Sequence, residues 1–163
     1  MAEQGSGAVL IRQAQREDVA TIVSLLAQDE VAGGREQYTQ PLPQAYYDAF
    51  EAIAHSADNT LVVAEIEGAI VGTLQLTLIP NLTMQGGKRA LVEAVFVDEK
   101  YRGMGIGRQL MQWAVDTARE SNCCMVQLTT NKQRAAAHRF YESLGFVGSH
   151  TGMKLVLGQS EHC

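Results

Sequence analysis

The chain has no run of about 18 consecutive apolar residues, so no membrane span is expected. Its first residues, Met1-Ala2-Glu3-Gln4-Gly5-Ser6-Gly7, lack the basic patch and apolar stretch of a signal peptide and read as a disordered polar tail. Three cysteines, Cys123, Cys124 and Cys163, show no disulfide framework and none of the paired spacing of a zinc site. The expectation is a cytoplasmic protein with reduced thiols and no metal. Basic residues are also scarce. Lys and Arg number 13 against 18 Asp and Glu, a net charge of −5, whereas neutralising phosphates needs a basic surface, so nucleic acid is not the expected partner.

What is present suits one domain spanning residues 1–163. At 163 residues and 46% hydrophobic content the chain can bury a core without covalent staples. Charge is unevenly spread: residues 1–98 carry a net −8 and residues 99–163 a net +3. An anionic ligand is better received by the second part and a cationic one by the first.

Hydrophobic periodicity gives an order of elements. Ala8 to Arg12 reads as a strand, and Val19, Ile22, Val23 and Leu26 fall at helical spacing behind Arg16-Glu17-Asp18. After a loop with Gly33-Gly34, Pro41 and Pro43, residues Gln44 to His55 form a second helix. Leu61–Ile66 and Ala69–Leu78 flank Glu67-Gly68, a hairpin signal. Arg89 to Val97 is a nearly continuous apolar strand interrupted by Glu93, followed by a glycine turn and the amphipathic pattern Ile106, Leu110, Trp113, Ala114. Met125–Thr129 is a strand, Ala135–Leu144 a helix stopped by Gly145, and Phe146-Val147 and Gly152–Leu157 supply two last strands. The order β-α-α-β-β-β-α-β-α-β-β predicts a mixed α/β sheet covered by helices.

A buried strand that runs through glycines into a helix brings free backbone N–H groups and the positive end of the helix dipole to one point, which favours a phosphate. Gly103, Gly105 and Gly107, with Arg102 before and Arg108 after, suit a diphosphate better than a plain turn requires. There is no Gly-x-x-x-x-Gly-Lys-Ser/Thr, and Gly105-Ile106-Gly107-Arg108-Gln109-Leu110 fails the dinucleotide fingerprint at its last position.

Val92-Glu93-Ala94-Val95-Phe96-Val97 followed by Tyr101-Arg102-Gly103-Met104-Gly105-Ile106-Gly107 resembles motif A of the GNAT superfamily of acyl-CoA N-acyltransferases. His138-Arg139-Phe140-Tyr141-Glu142-Ser143-Leu144-Gly145-Phe146 resembles its motif B, so the likeness covers about residues 8–157. It implies about seven strands with a splayed centre, four helices, acetyl-CoA as co-substrate and frequent homodimers. A β-bulge would part the two central strands, and the pantetheine arm would lie in the gap. Val95, Phe96 and Val97 would pair their backbones with the pantetheine amides, and the N–H groups of Gly103, Met104, Gly105, Ile106, Gly107 and Arg108 would hold the pyrophosphate. Arg102 would set the turn or assist a phosphate. Asn131 would touch the pantetheine, while a second asparagine usual in the family falls here at Arg134.

Acetyl transfer to an amine needs a neutral nucleophile, a polarised thioester carbonyl and an acid for the departing thiolate. Tyr141 sits where the resemblance implies the acid; packing of its helix on the sheet is the rival role. Glu93, a carboxylate on a mostly buried strand, is costly unless bonded or poised for function. The resemblance implies proton acceptance from the amine, with cationic substrate binding or a salt bridge to Lys88 or Arg89 as alternatives. His138 and His150 lack metal-ligand spacing and read as packing or surface residues. The expected activity is acetylation of a small primary amine, and Thr130-Asn131-Lys132 and Ser149-His150 also look like the aminoalkylphosphonate N-acetyltransferase branch. Acetylation of a protein lysine or N-terminus, or acetyl-CoA sensing without catalysis, are the other readings.

Overall fold

A computed structural model describes residues 7–157; the rest of the expected polar tail, residues 1–6, and Cys163 lie outside the described residues. The elements are β1 (Leu10–Gln13), α1 (Val19–Leu26), α2 (Gln44–Ala54), β2 (Asn59–Ile66), β3 (Ala69–Ile79), α3 (Thr83–Gly86), β4 (Lys88–Val97), α4 (Ile106–Glu120), β5 (Cys123–Leu128) and α5 (Ala135–Ser143). α3 is a single turn in which Met84 and Gln85 take positive φ. Among the described residues no helix is long and apolar enough to cross a membrane.

The strands form one sheet in sequence order, β1-β2-β3-β4-β5. The first three pairings are antiparallel and β4 with β5 is parallel. The β2–β3 turn places Glu67 at φ 50° and Gly68 at φ 82°, the two positive φ values that a tight hairpin with strand-matched twist requires. A parallel pair cannot be joined by a tight turn, so the chain leaves β4 through α4 before returning as β5.

Two apolar layers enclose the sheet. On one face Val62, Ala64, Leu74, Leu76, Ala90 and Val92 meet Ile106, Leu110, Met111 and Ala114 of α4. On the other, Val63 packs under Val19, Ile22 and Val23 of α1 and Phe50 of α2. Entry into α1 is pinned by a charged group withdrawn from water. Asp18 is 5% exposed, accepts a fork of bonds from Arg12 at 2.7 and 3.2 Å, and accepts the Gln15 N–H at 2.7 Å. Burial alone would raise the Asp18 pKa, yet these donors outweigh it and hold the carboxyl below its ordinary 3.8. Arg12 also bonds Glu65 at 2.7 Å, so one guanidinium ties β1, β2 and the start of α1.

The expected seven strands are five among the described residues: Phe146-Val147 and Gly152–Leu157 form no strand. Gly145, Gly148 and Gly152 fall within eight residues, which denies this stretch the cross-strand side-chain pairs that stabilise a ladder. Val147, Met153, Leu155 and Leu157 remain exposed. The four long helices match expectation, with α5 closed by Gly145 at φ 91°.

Candidate active site

The site begins where β4 stops behaving as an ordinary strand. Its register with β3 passes from Gln75↔Glu93 to Thr73↔Phe96, so β4 carries one residue more than its partner. The bulge centres on Ala94, whose φ is 51°. Pairing with β5 ends at Val92↔Leu128, and from Glu93 onward no strand of the described residues flanks β4 on that side. The two strands therefore part at the bulge, as expected.

Backbone direction in this open stretch follows from one bond. The Asp98 N–H donates to the Val71 carbonyl at 2.9 Å. By the alternation of an antiparallel ladder, Phe96 then also turns its backbone to β3, while Val97 turns away from it. Of the expected triplet Val95, Phe96 and Val97, the alternation turns the amide and carbonyl of the middle member to the sheet and those of the outer two to the open side. The Val97 carbonyl in turn accepts the Arg102 Nε–H at 3.2 Å.

Arg102 shapes the turn that follows. Its guanidinium lies over the Phe96 ring at 5.2 Å from the centroid and pairs with Glu99 at 3.6 Å. Gly103 and Gly105 both sit at φ 80° with open space where a Cβ would be, so backbone conformation is what demands glycine at these two positions. Gly107 has a different reason: a Cβ there would stand 3.3 Å from Cζ of Phe140, so its bareness lets α4 and α5 approach. The first helical bond of α4 is Gln109 N–H to Gly105 O at 3.1 Å. The N–H groups of Ile106, Gly107 and Arg108 therefore have no partner within the helix. No acidic residue stands in the first turn of α4 and no side chain caps it, leaving its positive end unneutralised. Arg108 reaches across to Ser143 Oγ at 3.3 Å, joining the start of α4 to the end of α5.

Tyr141 is half-buried on α5, edge-on to Phe140 at 5.2 Å and to Phe146 at 5.9 Å between centroids. Burial pushes its phenol above the ordinary 10.0, and the positive charge of Arg134 partly offsets this. The phenol is thus held protonated at neutral pH, and its oxygen bonds to no described residue. Aromatic packing and a free acid group coexist in one side chain.

Glu93 departs from expectation. It is exposed, because the bulge lifts it at the mouth of the gap. Neither proposed salt bridge forms: the Lys88 ammonium donates to the Ser121 carbonyl at 3.2 Å, and Arg89 Nε is buried without a hydrogen-bond partner. Cross-strand register puts Glu93 on the sheet face that α1 and α2 cover in part, together with Gln75, Thr77, Leu91 and Gln127. Thr77 and Gln75 are held by Asn59 Oδ1 at 2.7 and 3.4 Å. This half-exposed polar row escaped the sequence reading, although alternation of Thr73, Gln75 and Thr77 in β3 was its signal. Tyr141 packs with the α4 layer, so Glu93 and Tyr141 belong to opposite faces of the sheet, with the open stretch of β4 between them.

Asn131 is exposed and accepts the Gln133 N–H at 2.9 Å, shaping the turn before α5. His138 contacts the Asn131 carbonyl at 3.1 Å, and His150 contacts Ser149 Oγ at 2.7 Å; both stand apart from any acidic or thiol cluster of metal-ligand type among the described residues.

Known proteins are similar to this chain in sequence and in fold. The family model described as Acetyltransferase (GNAT) family matches residues 9–146. A crystal structure of a protein called a transcriptional regulator from Bacillus halodurans C-125 is 46% identical with a TM-score of 0.90, covering 92% of this chain and 100% of that one. The aminoalkylphosphonate N-acetyltransferase of Salmonella typhimurium is 30% identical over 140 residues, 86% of each chain. N-alpha-acetyltransferase 30 of Xenopus laevis is 26% identical over 148 residues, which are 88% of this chain and 54% of that protein. A bulged, parted β4 that runs into an uncapped glycine turn, and a match over most of the chain, place this protein in the GNAT family of acetyltransferases, which use acetyl-CoA.

Proposed function

We propose that the chain transfers the acetyl group of acetyl-CoA directly to a primary amine of a small molecule. The observation that carries this reading is the continuity of the open β4 edge with the uncapped start of α4. An unpaired strand edge suits the two amides of a pantetheine arm, and the N–H groups of residues 106–108 suit a pyrophosphate. Val95 and Val97 are the backbone contacts in this reading, with Gly103 to Arg108 forming the anion cradle.

The chain's own groups then divide the chemistry. An amine arriving on the Glu93 face loses a proton, through Glu93 or a water it holds, and its lone pair attacks the acyl carbon. The new C–N bond replaces the C–S bond, and the Tyr141 phenol protonates the leaving thiolate from the opposite face. Arg102 keeps the cradle in shape. Among small amines, aminoalkylphosphonates are the first candidates, since the Salmonella relative takes that name from them. The exposed position of Glu93 also favours a second reading, acetylation of a protein lysine or N-terminus.

Thiol release from acetyl-CoA is to be measured across aminoalkylphosphonates, amino sugars, polyamines and short peptides, with Tyr141→Phe as control. Turnover of at least one small amine, lost in the control, is the expected result. Turnover confined to peptides moves the acceptor to protein, and acetyl-CoA binding without turnover on any amine overturns the enzyme reading in favour of a sensor.

A further inference from the structure

Arg134 takes the place of an asparagine that the GNAT resemblance leads one to expect, and its partner comes from the far end of the chain. Its Nη2 forms an ion pair with Asp29 Oδ2 across 105 positions. The two side chains are 33% and 17% exposed, so the pair is partly withdrawn from water and less screened than a surface pair. Both ends are anchored. Asp29 also accepts the Val31 N–H at 3.1 Å through its other oxygen, starting the single turn Glu30–Ala32 that Gly33 closes at φ 66°. Arg134 donates its N–H to the Asn131 carbonyl and receives the His138 N–H on its own carbonyl, both at 3.0 Å, so its backbone is locked at the start of α5.

We propose that the Asp29–Arg134 pair is a clamp between the α1–α2 loop and the helix that carries Tyr141, and that Arg134 is a positioning residue for the acceptor side of the site. Three facts favour this over a ligand role for the guanidinium. Its charge is engaged by a carboxylate, which weakens its attraction for a phosphate. Tyr141 follows seven residues later, two helical turns along the same face, so a displacement of the start of α5 is passed to the phenol. The far end of the loop is tied to α2 instead: Tyr46 Oη accepts the Gln37 N–H at 2.8 Å and bonds Glu36 at 3.0 Å. The clamp joins this loop to α5, and so joins the proposed amine side of the gap to the acid side.

The inference rests on the acceptor reading above, so its test includes an arm that needs no turnover. Asp29→Asn and Arg134→Gln are each expected to speed amide hydrogen exchange in residues 27–43 about tenfold. Each is also expected to raise the KM for the amine about fivefold while that for acetyl-CoA changes less than twofold, and the double variant should be no worse than the worse single. Arg134→Lys, which keeps the charge, should recover more than half of the loss. Unchanged exchange in both single variants, additive losses, or a KM for acetyl-CoA that rises with that for the amine overturns the clamp. If the wild-type protein turns over no amine, the acceptor reading falls separately and the exchange measurement alone decides.

Discussion

From Leu91 to Gly107 the chain builds its half of the site from neighbours in sequence: a bulge at Ala94, an arginine folded back onto Phe96 and Val97, two glycines at positive φ and a helix start without a cap. From Ala27 to Pro43 the local ties are short turns, and the longer-range ones are made by side chains. That stretch is held by Asp29 reaching Arg134, by Tyr46 reaching Gln37 and by a turn of one helical repeat. The proposed donor half is thus shaped chiefly by backbone geometry, and the proposed acceptor half is held chiefly by side chains, one of which comes from a distant segment. Connecting segments of that kind tolerate variation better than the elements they join, which suits the proposed pairing of one donor with a variable acceptor.

The sharpest test of that division is Tyr141, proposed above to protonate the donor's leaving thiolate from outside the donor segment. Tyr141→Phe keeps the ring contacts with Phe140 and Phe146 and removes the phenolic proton. The expectation is a fall in kcat of about 100-fold with an unchanged melting temperature and an unchanged KM for acetyl-CoA. A change of less than threefold in kcat would leave Tyr141 as packing alone. Glu93→Gln comes next, with kcat/KM for the amine reduced about tenfold and acetyl-CoA binding unmoved, because the side chain is exposed on the face proposed for the acceptor. Equal losses toward both substrates would break the division, since Glu93 would then shape the donor gap. The smallest effect is expected from Gly105→Ala. Space is open there, so only the φ of 80° opposes a side chain, at about 1–2 kcal/mol. Thermal unfolding should show a drop of a few degrees, and the KM for acetyl-CoA should rise while that for the amine holds. A rise in the amine KM instead would mean the turn also supports the acceptor.

The same contrast decides what was legible beforehand. Features that depend on a few adjacent residues could be read from the chain: the Glu67-Gly68 hairpin, the strand–glycine–helix passage and the stop at Gly145. The apolar run around Glu93 predicts burial, and such a run does not reveal that an extra residue at Ala94 lifts its neighbour into solvent. Residues 146–157 contain apolar pairs that suit strands, yet glycine spacing outweighs them. Arg134 could be seen to depart from the family pattern, but its partner lies in a loop that carries no periodic signal, and only tertiary structure joins them. The polar row of Gln75, Thr77 and Gln127 emerges once cross-strand register is known, because two strands must be aligned before their polar positions form a surface.

The extra residue in β4 works as a change of parity. In an unbroken strand, positions 92 and 96 would look the same way; here Val92 lies under α4 while Phe96 pairs with Thr73 on the opposite face. Glu93 and Phe96, three apart, share a face, and Val95 and Val97 return to the α4 side. One strand therefore carries two reading frames, the first facing the proposed acceptor side and the second lining the proposed donor gap. Residue count in β4 constrains this geometry as strictly as residue type, because a single deletion between them would bring both frames back into step and re-aim the glycine turn that follows β4.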